Sequence, residues 1–237
     1  MKHIKLVLTD SKKEMSLKRE AGRFLVHRAD QAAADLIWEI LPEGHDHSIR
    51  FLLMRTLLRI RYRNSAIRLD RNLIKKEIFR EVELYLGIKK LHAYYLRVVQ
   101  EKREEFLEVA LNAVAQESLE RLFLCLSLLY PSEEIQIIYE RILEHPHSDP
   151  IRSHAVELLQ NILGPEFSGL THEIFEDPDP PESTEKEAIS ILAELWNSKD
   201  RWLSLTARFL VEELGLAENY PQFHFSGVGG YDEALNL

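Results

Sequence analysis

The chain has 237 residues, 45% of them apolar and 29% charged, with a formal net charge of −9. That length and balance suit a soluble globular fold able to bury a substantial core. A single cysteine, Cys125, excludes an intrachain disulfide and fits a reducing compartment, and the most apolar run, Leu122 to Tyr130, is about half the length a membrane-spanning helix needs.

The opening "MKHIKLVLTD" is basic and apolar, but it lacks the long apolar core and small-residue cleavage site of a signal peptide. Residues 2–8 read as a short helix. Helical spacing then predicts helices over 15–27, 29–41, 47–62, 71–100, 103–129, 132–143, 149–163, 184–197 and 201–214, with scarce strand signals between them. The helices at 71–100 and 103–129 are long. Gly87 is a place for the first to bend, and the all-polar "QEKREE" at 100–105 reads as a turn or as a straight exposed run. In "EEIQIIYERIL", Ile135, Ile138, Tyr139 and Ile142 share one face, behind Pro131 and an expected N-cap at Ser132. "IRSHAVELLQNIL" repeats the pattern with Ile151, Ala155, Leu158, Leu159 and Ile162, and Gly164 with Pro165 stops it. The acidic, proline-rich "EDPDPPES" at 176–183 is an expected loop, after which Thr184 and Glu187 form a capping-box pair. Residues 1–219 are expected to form one domain. The stretch 220–237 is expected to form a loose tail, anchored by Phe223 and Phe225.

Charge is unevenly spread. From Arg50 to Arg80, ten Lys/Arg face two acidic residues, whereas from Gly164 to Leu237 four face fifteen. One face is therefore suited to an anionic partner, unless the two halves neutralise each other inside the fold.

Internal repetition is visible without gaps. Under "ILEHPHSDPIRSHAVELLQNI" (142–162), the stretch "ILPEGHDHSIRFLLMRTLLRI" (40–60) places Ile40 and Leu41 on Ile142 and Leu143, Ile49 and Arg50 on Ile151 and Arg152, and Leu57 on Leu159. "SLKREAGRFLVHR" gives a third copy of the second helix, with Leu17 matching Ile49 and Ala21 matching Ala155. "SKDRWLSLTARFLVEEL" gives a fourth, with Asp200 on Asp149 and Trp202 on Ile151. In this unit Asp149 and Asp200 are expected helix caps, Arg50 and Arg152 are expected to bond turn carbonyls or a neighbouring repeat's aspartate, and Ala155 permits close packing. The pattern resembles the HEAT repeat, best in "SDPIRSHAVELLQNIL". The order of units is similar to the soluble HEAT-type region found beside transporters of the bacterial ATP/ADP-translocase type. The resemblance covers roughly residues 10–214. It implies an all-α fold, an α-α superhelix of HEAT/armadillo-like hairpins, and a non-enzymatic interaction or regulatory scaffold. Its expected partner is a protein, a membrane transporter domain among the candidates, or an anionic membrane surface, and its expected place is the cytoplasm or the inner face of a membrane. The chain carries neither the membrane domain nor the cyclic-nucleotide pocket that accompany that region, so none of their residues are carried over. An excised piece and a stand-alone relative both fit.

No catalytic, cofactor or metal residues are expected. His145 and His147 in a turn, with His154 on the following helix, like His45, Asp46 and His47 at the matching turn, read as polar inter-helix residues rather than zinc ligands, and His172-Glu173 is a single pair. "GVGGYDE" lacks the lysine of a phosphate loop, and carboxylates along helices read as salt-bridged surface. The candidate partner-binding residues are Arg55, Arg59, Arg63, Arg68, Arg71, Lys75 and Lys76, with Tyr62 among them. Nucleic acid is the less favoured alternative occupant, because the chain as a whole is acidic. The aromatic residues Trp38, Tyr94, Tyr95, Trp196 and Trp202, with His92, are expected to pack between repeats.

Overall fold

A computed structural model describes residues 1–43, 47–99, 105–145, 149–176 and 184–223. These form eleven α-helices and no strand: α1 Lys2–Thr9, α2 Met15–Arg28, α3 Gln31–Ile40, α4 His47–Arg63, α5 Arg71–Val99, α6 Glu105–Leu129, α7 Ser132–Glu144, α8 Pro150–Leu163, α9 Ser168–Thr171, α10 Glu185–Trp196 and α11 Arg201–Glu213. The fold is thus all-helical. His45, Asp46 and His147, the turn at 100–104, the acidic loop at 177–183 and the tail from His224 onward, with Phe225 and "GVGGYDE", lie outside the described residues.

Local chemistry sets the helix ends. Asp30 caps α3 by accepting from Ala33 N at 2.9 Å, and Asp149 caps α8 by accepting from Ile151 N at 2.8 Å, with Pro150 in the first turn. Thr184 and Glu187 complete the capping box of α10. Ser132 is not the cap of α7: Pro131 holds that position without a side-chain bond, and Ser132 is already helical. Gly164 ends α8 with φ 67°, a left-handed value that glycine adopts without steric cost. Beyond it the chain does not go straight to a loop. A short helix and a π-turn through His172–Glu176 bury Phe167, Ile174 and Phe175.

The long pair α5–α6 is the centre of the molecule. Helices α4 and α7 pack on α6, α10 packs on α5, and α11 packs on α6. Two apolar cores result. The first joins α1–α4 and α7–α9 to Ile74, Ile78 and Val82 of α5 and to Leu119, Leu122, Phe123 and Leu126 of α6. The second joins α10 and α11 to Ile88, Leu91 and Tyr95 of α5 and to Leu107, Leu111 and Val114 of α6. Because α5 and α6 run through both cores, neither is built by a separate stretch of chain. Phe223 anchors the end of the described chain in the second core, 5.3 Å from the Trp196 ring. Trp202, expected to pack between repeats, is 43% exposed, as is its counterpart Ile151 at 47%. Both sit in the first turn of their helices, on the face turned away from the core.

Candidate functional site

The seven basic residues singled out in the sequence do not form one patch. Arg71 and Lys75 both pair with Glu166, Arg71 Nη2 lying 3.3 Å from Oε2. Arg63 donates to Val26 O at 3.2 Å and straps α4 to α2. Arg68 is joined to Gln31 through its backbone, its N donating to Gln31 Oε1 at 2.9 Å and its O accepting from Gln31 Nε2 at 3.0 Å. Lys76 is exposed.

Arg55 and Arg59 behave differently. One turn apart on α4, they face a cleft of about 350 Å³ whose opposite wall is α2, with Arg19 and Arg23 also one turn apart. Arg55 lies over the Phe51 ring at 5.3 Å, and Arg23 pairs with Glu20 on its own helix. Among the described residues Arg19, Arg55 and Arg59 make no hydrogen bond or ion pair. The cleft floor is apolar, with Phe51, Leu52 and Val26. It is narrow because Gly22 lets α2 approach: a Cβ there would meet Thr56 Oγ1 at 3.0 Å. Arg19 and Arg23 escaped the sequence reading, yet a signal existed. The gapless match that sets Leu17 on Ile49 also sets Arg23 on Arg55.

A second polar assembly lies inside the protein, between the two cores. Glu81 of α5, 1% exposed, holds Arg50 of α4 (Nη2 to Oε1, 3.0 Å) and Arg121 of α6 (Nε to Oε2, 3.0 Å), and it accepts from Ser118 Oγ at 3.1 Å. Arg50 also pairs with Glu77. Burial pushes the Glu81 carboxyl up, but Arg121 and Arg50 together bring it below the usual carboxylate range. Carboxylates on these helices were expected to be surface residues, and Glu77 and Glu81 are not. Beside them Asp200 caps α11, accepting from Leu203 N at 3.0 Å, and takes the backbone N–H of His47 as well. Arg50 further donates to Leu41 O at 3.2 Å, and Arg152 donates to Ile142 O. Two arginines expected to hold turn carbonyls therefore each clasp the end of the helix before their own.

The histidines do not converge. His145 Nδ1 lies 2.9 Å from Asp149 Oδ2 within its turn, His154 stands exposed beside Glu157, and no group of three ligating side chains able to hold a metal occurs among the described residues. No helix there is long and apolar enough to cross a membrane. No protein-family model matches the chain, and neither a curated protein nor a solved structure does so.

Proposed function

We propose that the protein is a non-enzymatic interaction scaffold of HEAT-like helical hairpins, and that the cleft between α2 and α4 receives an acidic segment of a protein partner. The observation that carries this reading is the pair Arg55 and Arg59, facing Arg19 and Arg23 over an apolar floor, with only Arg23 of the four paired to a carboxylate among the described residues. Cations held in such a groove offer charge-assisted hydrogen bonds that a partner's carboxylates complete, and their field favours encounter with an anionic surface. The repeat reading draws support from Arg50 and Arg152, which clasp equivalent helix ends, and from Asp149 and Asp200, which cap equivalent helices. A membrane transporter as the partner follows from the sequence resemblance, not from the cleft.

The test is affinity capture with crosslinking from gently solubilised source cells, using the natural chain and the double variant Arg55→Glu, Arg59→Glu. The reading expects a membrane transporter protein crosslinked near the cleft, weakened by added salt and lost with the double variant, whose helical content is unchanged. Equal capture by both chains removes the cleft from the reading. Capture that vanishes on nuclease treatment replaces the protein partner with nucleic acid.

A further inference from the structure

A cleft of about 280 Å³ opens between α5 and the α10–α11 pair, above the ionic layer that separates the two cores. Its floor carries His47, Arg50, Glu81 and Asp200, none more than 8% exposed. Its rim carries the exposed Arg80, Glu83 and Glu194, and Leu84 and Ile191 supply apolar walls.

The floor is internally matched except at one group. Arg50 and Glu81 satisfy one another within the ionic layer, and Asp200 accepts two backbone N–H groups. The His47 ring has no hydrogen-bond partner at Nδ1 or at Nε2, and Asp200 Oδ2, 3.9 Å from Nε2, is beyond hydrogen-bond reach. Burial first, and Arg121 next, hold this imidazole down to about 4, so it is neutral at ordinary pH and offers one N–H and one lone pair. Both ring nitrogens are closed off from solvent, so the ring supports the cleft floor from beneath. The rim is unmatched in both signs. Arg80, Glu83 and Glu194 make no hydrogen bond or ion pair among the described residues. Partial burial, with Arg50 nearby, lowers the Arg80 guanidinium from its ordinary value, so a carboxylate placed there is favoured.

A simple anion would meet two rim carboxylates, and a simple cation would meet Arg80. We propose that this cleft binds a small zwitterion of the size and charge pattern of a free α-amino acid, its carboxylate on Arg80, its ammonium on Glu83 and Glu194. The volume is near the lower end of small-molecule sites, and a boundary between two cores is where such sites form. A ligand there touches α5 and α10 together and clamps the second core against the first.

The experiment screens the standard L-amino acids, each in millimolar excess, by thermal unfolding and titration calorimetry, on the full chain and on Arg80→Gln and Glu194→Gln. Acetate and n-butylamine serve as single-charge probes. At least one amino acid is expected to raise Tm and to give a saturable heat, and each variant is expected to weaken it by about tenfold or more while keeping the native helical signal. Three results each overturn the proposal: no amino acid that shifts Tm or binds, a variant that binds as the natural chain does, or a single-charge probe that binds as well as the amino acid.

Discussion

Asp200 Oδ2 accepts the backbone N–H of His47 across 153 positions of sequence, while Asp200 Oδ1 caps its own helix through Leu203 N at 3.0 Å. One carboxylate thus faces the positive ends of two helix dipoles, α4 in the first core and α11 in the second. Asp200→Ala removes a cap and leaves the buried His47 N–H without its acceptor, a combined loss of about 2–4 kcal/mol. Asp200→Asn keeps one acceptor oxygen and should lose less than the alanine variant. Urea unfolding of the three proteins checks the order.

Stability should fall in acid in two stages. The folded His47 is held down to about 4 from an ordinary 6.5, so between those values the unfolded chain binds more protons. Its contribution is complete above pH 6.5 and declines as pH drops toward about 4. Glu81 follows. Its folded carboxyl sits below the ordinary 4.5, so its contribution is full above that value and is lost as pH falls through the lowered one. His47→Gln should flatten the first decline and leave the second. Urea midpoints measured from neutral pH downward would show both arms, and an unchanged first arm in the variant would assign it to another group.

Gly22 sets how closely α2 lies on α4. An added Cβ would stand 3.0 Å from Thr56 Oγ1 and 3.4 Å from Leu52 Cδ1, and Thr56 is tied at 2.7 Å to Leu52 O. Gly22→Val overpacks this contact and should destabilise by about 1–3 kcal/mol. The same change should weaken whatever the arginine cleft binds, because it moves the wall carrying Arg19 and Arg23. Chemical unfolding gives the first number and a binding titration the second.

Cys125 should be silent toward thiol reagents in the native protein. It is 1% exposed, lies 3.8 Å from Met54 Sδ, and burial pushes its thiol well above the usual range. Ellman's reagent should modify it at the rate at which the protein opens, accelerating in urea together with the loss of helical signal. Fast labelling in the folded state would contradict the packing described for α6.

Most helices were legible because their apolar positions recur at helical spacing and their ends carry strong chemistry. Ile135, Ile138, Tyr139 and Ile142 are all buried, and Asp149, Thr184 and Gly164 act where their side chains or lack of one predict. The turn through Phe167, Ile174 and Phe175 was not legible, since its apolar residues are too few for a period. The ionic layer was hidden for another reason. Glu77, Glu81 and Arg121 carry charge on helices whose polar positions normally face water, and only the crossing of α4, α5 and α6 turns them inward. The basic stretch was visible as composition, but its division was not, because Glu166 is distant in sequence from Arg71 and Lys75. The arginine cleft was half visible. Arg55 and Arg59 stood out, the gapless match pointed to Arg23, and Arg19 needed the packing of α2 on α4.

The contact between Asp200 and His47 also imposes an order in time. During synthesis the chain emerges from its N-terminus, so the head of α4 is made long before the residue that completes it. Bringing positions separated by 153 residues together is a slow, entropically costly closure. The head of α4 therefore stays without this acceptor until α11 has been made, and the docking of α11 completes it.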